Sequence, residues 1–158
     1  MKRIDLPLMQ QHQRFMARAF MLAEQAFEEG EVPVGAIVVH KGRIVGKGYN
    51  QVERMNDPTA HAEMIAISAA CETLSEKYLS ECTLYVTLEP CPMCAGAVVW
   101  SKLKTVVFGA VDAKSGGCGS VFNISSNNKL NHSVEIIQGV MEAESEFLLK
   151  EFFRNKRV

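Results

Sequence analysis

The chain predicts an α/β fold, a three-layer α/β/α sandwich, on three observations. Five short β-rich runs are interspersed with segments whose apolar residues recur at helical spacing, and such mixing places helices on both faces of a sheet. No repeat or low-complexity tract interrupts the pattern. With 158 residues, 47% of them hydrophobic, there is chain enough for one continuous core, so 1–158 is expected to be a single domain.

The elements follow in order. Met16, Phe20, Ala23 and Phe27 share one helical face, which predicts an amphipathic helix over Met9 to Glu29, stopped at Gly30. Ala36 to His40 and Ile44 to Tyr49 are strands, and Lys41-Gly42-Arg43 turns them into a hairpin. Asp57-Pro58-Thr59 is a helix start signal, with Thr59 or Asp57 as cap of a helix from His61 to Leu74. Leu84 to Leu88 reads as the third strand, Glu89-Pro90 as its stop, and Cys91 to Trp100 as a short helix. Thr105 to Val111 and Val134 to Gln138 complete the sheet, before a last helix from Met141 to Lys156 carrying Phe147, Leu148 and Phe152. Asp112 to Ser120 contains Gly116, Gly117 and Gly119 but lacks the G-K-[ST] order of a phosphate loop; it reads as a flexible active-site rim or a connector.

Composition excludes several classes of function. No apolar run approaches the ~18 residues needed to span a bilayer, and the N-terminus lacks the features of a signal or transit peptide, so a soluble, cytoplasmic protein is expected. A net charge of −1 argues against a protein that grips nucleic acid over a wide area. The exception is local. Lys150, Arg154, Lys156 and Arg157 oppose Glu151 alone and interleave with Phe152 and Phe153, which is either a solvated helix end or a basic, aromatic contact for RNA.

Chemistry concentrates in His61-Ala62-Glu63 and Pro90-Cys91-Pro92-Met93-Cys94. One imidazole and two thiolates leave the fourth position of tetrahedral zinc free for water, the composition of a catalytic site. Zinc lowers the pKa of bound water from ~15.7 to roughly 7, and Glu63, which is not a ligand, is placed to move the proton. A C-x-x-C pair alone also fits a redox dithiol or half of a zinc knuckle, but neither requires His61 with Glu63, and a second such pair is absent. Residues two apart on a helix point roughly 200° from one another, so the metal is expected off the helix end, where the helix dipole favours thiolates. The H-x-E…P-C-x-x-C pattern as a whole is that of zinc nucleobase deaminases. The remaining Cys71, Cys82 and Cys118 are expected to be reduced thiols in or near the core.

Four segments carry a closer resemblance: Val32-Pro33-Val34-Gly35-Ala36, Asn56-Asp57-Pro58-Thr59-Ala60-His61-Ala62-Glu63, Leu84 through Ala97, and Phe108-Gly109-Ala110-Val111-Asp112-Ala113-Lys114. Together they closely resemble bacterial tRNA-specific adenosine deaminases, over nearly the whole chain. The resemblance implies a cytidine-deaminase-like fold with a five-stranded mixed sheet, a homodimer, and conversion of the wobble adenosine of a tRNA anticodon to inosine. It implies one Zn2+ per chain held by His61, Cys91 and Cys94, with Glu63 as proton shuttle. Asn50 matches a residue that contacts the target nucleoside, and Val32 and Pro33 fall where the family lines its pocket. Phe152-Phe153-Arg154 match the helix that approaches the anticodon stem-loop, although the residues after them are fewer than in relatives with longer basic tails. No DNA partner is expected. The competing reading is a free guanine or cytosine deaminase, which the same zinc, Glu63 and Asn50 would serve; a basic, aromatic terminal helix speaks against it, because a free base has no phosphate to meet.

Overall fold

The computed structural model describes residues 6–156 except 128 and 131. Its elements are α1 (Leu6–Glu28), β1 (Gly35–His40), β2 (Arg43–Tyr49), α2 (Val52–Met55), α3 (Ala62–Leu74), β3 (Cys82–Leu88), α4 (Pro92–Trp100), β4 (Thr105–Ala110), β5 (Glu135–Gln138) and α5 (Glu142–Lys156). The sheet runs β2-β1-β3-β4-β5. β1 is antiparallel to both β2 and β3, whereas β3, β4 and β5 are parallel, so the sheet is mixed.

Strand alternation sorts side chains to two faces. Ala36 and Val38 of β1, Leu84 and Val86 of β3, and Val106 and Phe108 of β4 pack with α3 and α4. Ile37, Val39, Tyr85 and Val107 face the other way, onto Met16 and Ala19 of α1. The three layers expected from the alternation of elements are present. α3 lies unusually close to β2: a Cβ on Gly46 would stand 2.3 Å from the Ala66 carbonyl oxygen, and one on Gly48 would stand 2.4 Å from that of Ala62. Glycines on the strand and alanines on the helix thus let the backbones nearly touch, which fixes where α3 begins.

Three local expectations need correction. α1 starts at Leu6, ahead of Met9, because Pro7 is compatible with a first helical turn; Phe20 and Phe27 lie at the margin of its buried stripe, which is centred on Met16, Ala19, Ala23 and Ala26. Neither Thr59 nor Asp57 caps α3. Asp57 Oδ1 accepts from Thr59 N–H at 2.8 Å and Thr59 Oγ1 at 2.7 Å, closing its own turn. His61 itself occupies the N-cap without a side-chain capping bond, and the first helical N–H, that of Ala62, is taken by Asn50 Oδ1 at 2.8 Å. The short helix α2 was not anticipated; its Glu53 and Arg54 N–H groups are bound by the buried carboxylate of Glu31 at 2.9 and 2.8 Å.

Candidate active site

Two helix N-termini converge at the C-terminal end of β3. His61 is the N-cap of α3, Cys91 the N-cap of α4, and Cys94 lies in the first turn of α4. An N-cap side chain ordinarily folds back to accept a backbone N–H. His61 makes no such bond and turns its Nδ1 toward both sulfurs instead. His61 Nδ1 stands 3.6 Å from each sulfur, and all three donor atoms lie within 4.8 Å of one another.

That donor set fits zinc. Zn–N bonds of about 2.05 Å and Zn–S bonds of about 2.3 Å at tetrahedral angles put nitrogen and sulfur about 3.6 Å apart. The electrostatics agree. Cys91 is held down to about 4 by the hydrogen bond from Cys94 and by His61, against its burial. The Cys94 thiol is pushed up, because it shares its proton with the Cys91 sulfur and is buried. His61 is raised by its bond to Cys91. The cluster thus favours a thiolate at Cys91, and a bound cation would favour a second at Cys94.

Glu63, in the first turn of α3, is 4% exposed. It stands outside the group of three donor atoms. Burial, ahead of its neighbours, raises its carboxyl above the usual carboxylate range, the direction that suits a group meant to accept and return a proton near neutrality.

His61, Glu63 and Cys91 line a cavity of about 420 Å³, within the range of small-molecule sites, with Cys94 buried behind them. Val32 and Asn50 form part of its wall with His61, Glu63 and Cys91. Pro33 does not: it is buried and absent from the wall. Phe152, Phe153 and Lys156 of α5 line the cavity as well. Phe152 is 7% exposed and packs edge-on against Phe27 and Phe153, at ring-centre distances of 6.1 and 5.3 Å. Arg154 is not on the wall; it is exposed and pairs with Glu151 at 2.6 Å. Arg157 lies outside the described residues.

Glu31, Glu53, Glu89, Asp112 and Ser115 also border the cavity, and sequence reasoning did not single them out. The available signal was weak: Glu31 and Glu89 are acids at the edges of apolar strands, and only the fold reveals that both are buried.

Comparison with known proteins gives this site its context. The MafB19-like deaminase family profile matches residues 10–157. The tRNA-specific adenosine deaminase of Aquifex aeolicus is 53% identical over 143 residues, 90% of this chain and 94% of that protein. The chain belongs to the tRNA-specific adenosine deaminase family. A solved structure from work on A-to-I editing by tRNA:A34 deaminases at the wobble position superposes with a TM-score of 0.83 at 39% identity, covering 86% of this chain and 99% of that one. Its likeness settles the architecture as the cytidine-deaminase-like fold of the adenosine deaminase family. A guanine deaminase from Nitrosomonas europaea superposes with a TM-score of 0.78 at 24% identity, over 89% of this chain and 83% of that one. At that distance only the fold is shared.

Proposed function

We infer that the protein hydrolyses the wobble adenosine of a tRNA anticodon to inosine and ammonia. The observation that carries the reading is a buried carboxyl, Glu63, beside a His61, Cys91 and Cys94 donor set at one cavity, in a chain of the adenosine deaminase family. The donor set suits one zinc ion per chain, which when bound supplies the Lewis acidity that makes water nucleophilic near neutral pH.

The chain's own residues account for the rest. Glu63 moves both protons of the water that adds to C6 of the adenine, the first to N1 as the C–O bond forms and the second from the new C6 hydroxyl to the amino nitrogen, so that the C–N bond breaks, ammonia leaves and a C6 carbonyl remains. Asn50 orients the nucleoside. Its Oδ1 accepts from Ala62 N–H, which fixes the side chain at the cavity wall and leaves its Nδ2 as the donor for an acceptor on the substrate, such as purine N7 or a ribose oxygen. An anticodon base is unstacked at little cost, which allows it to enter a closed pocket. Val32 and Phe152 supply apolar wall for it.

On the same reading the whole chain is one deaminase domain, and the homodimer that the family resemblance implies is its proposed assembly. Among the described residues no helix is long and apolar enough to cross a membrane; with tRNA as substrate, the cytoplasm is the compartment proposed.

The α5 end is assigned to the RNA backbone. Phe153 is 48% exposed at the cavity as a stacking face, Lys156 Nζ lies 5.2 Å from the centre of the neighbouring Phe152 ring, and the exposed pair of Arg154 with Glu151 is too weak to withhold that guanidinium from a phosphate. Two phosphates neutralised here, at a slope of about −0.7 each, weaken binding roughly sevenfold between 50 and 200 mM salt. Replacing Arg154 and Lys156 by Ala is expected to raise KM for the stem-loop and flatten that slope while kcat is retained; an unchanged slope and KM return both residues to a solvated helix end.

The activity is tested by offering the purified protein an adenosine-containing anticodon stem-loop, free adenosine, guanine and cytosine, and measuring ammonia and inosine. Conversion of the stem-loop alone is the expected result. Conversion of guanine without the stem-loop overturns the reading.

A further inference from the structure

Glu89, the residue that follows β3, is 2% exposed yet faces no cation: none of the ion pairs among the described residues includes it. Its carboxyl oxygens are instead enclosed by backbone. Oε1 accepts from Asp112 N–H at 3.0 Å and from the Ser120 hydroxyl, and Oε2 accepts from the N–H groups of Cys118 and Ser120, each at 3.1 Å. These donors all come from the glycine-rich loop, which closes around the carboxyl as around a bound anion.

The loop is also laid directly on the ligand-bearing turn. Gly117 N–H donates to the Pro90 carbonyl at 2.7 Å. A Cβ on Gly116 would lie 2.3 Å from Glu89 Oε2, and one on Gly117 would lie 3.0 Å from the Cys91 carbonyl. Nothing larger than glycine fits at either place. Beyond this clamp, Asp112 Oδ1 accepts from the N–H groups of Lys114 and Ser115 at 3.0 and 3.1 Å, and the Asp112 and Ser115 side chains border the cavity. The loop closes its own turn, with Gly116 N–H on the Asp112 carbonyl at 2.9 Å, and touches the ligand turn through Gly117; Glu89 adds the four bonds that tie both ends of the loop, Asp112 and Ser120, to the end of β3.

We propose that Glu89 is a positioning residue, which holds the 112–120 loop as one wall of the cavity and thereby sets the affinity for the anticodon substrate. It does so without taking part in the proton transfers. A buried acid without a counter-ion is costly unless every lone pair is met, and a loop that supplies all the donors is pinned in one placement as long as the acid is there. The proposal rests on the deaminase reading above, and the experiment keeps the two apart.

Glu89→Gln keeps the shape but turns one acceptor into an NH₂ group aimed at backbone donors. The variant is expected to retain one zinc per chain, to raise KM for the stem-loop by roughly tenfold or more, and to change kcat by less than KM. Amide hydrogen exchange at Cys118 and Ser120 should quicken. Ser120→Ala, at an exposed position, removes one bond and should raise KM by a smaller factor, roughly twofold to tenfold. If Glu89→Gln does not fold, Ser120→Ala decides. A lower melting temperature with wild-type KM in the folded variants overturns the proposal, as does loss of zinc from Glu89→Gln, because Glu89 would then be serving the ligand turn and not the substrate wall. Should the wild-type protein leave the stem-loop unconverted, the deaminase reading fails by itself; unprotected Cys118 and Ser120 amides in wild type would separately refute the clamp.

Discussion

Glu63→Ala is expected to leave a folded, zinc-loaded protein whose turnover of the anticodon stem-loop falls by roughly a hundred- to ten-thousandfold. The carboxyl is buried at the cavity in the first turn of α3 and lies outside the ligand group, so its removal takes a proton carrier and no metal donor. Glu63→Gln sharpens the result. The amide keeps the volume and the hydrogen-bonding reach but cannot accept and return a proton, so it should be as inactive as alanine. Elemental analysis showing one zinc per chain in both variants separates loss of shuttling from loss of metal. Turnover within tenfold of wild type would mean that another group, or water, moves the protons.

Cys94→Ala should fail in the opposite way, losing the metal first and activity as a consequence. Cys94 is fully buried, and its sulfur is one of the three donors that meet at the two helix ends. Two donors remain after its removal, and metal affinity that contributes to the folded state disappears with the site. If zinc stands at about a hundred times its dissociation constant, the stabilisation lost is about 2.7 kcal/mol, or roughly 5 to 11 °C in Tm for a protein of this size. Elemental analysis should give zinc near zero and thermal denaturation an earlier midpoint. Full occupancy in the variant would remove Cys94 from the ligand set.

The parts of the molecule legible in the sequence are those whose signal is local. The five strands and the long helices follow from periodicity, with no end displaced by more than three residues. The grouping of His61, Cys91 and Cys94 was legible because ligand spacing and chemistry travel together in two short motifs, and their donor atoms lie within 4.8 Å of one another. What escaped notice is non-local. α2 has only four residues, too few for a period, and its N-terminus is satisfied by Glu31 from before β1. The first N–H of α3 is bound by Asn50, twelve residues away in sequence, so a search for a cap beside the helix settled on Asp57 and Thr59. Glu89 finds its donors 23 to 31 residues downstream, all but one of them backbone N–H groups, which no side-chain pattern records. Of the residues that family correspondence singles out, Val32, Asn50, Phe152 and Phe153 line the cavity, whereas Pro33 and Arg154 are not on its wall.

The central claim, zinc-assisted deamination of one base in a folded RNA, is tested most directly with two anticodon stem-loops that differ only in whether adenosine stands at the wobble position or one nucleotide away. Each is incubated with protein carrying one zinc per chain, and inosine is located by reverse transcription, which reads it as guanosine. The wobble adenosine should be converted and its neighbour spared. Equal conversion of both, or of neither, would contradict the account.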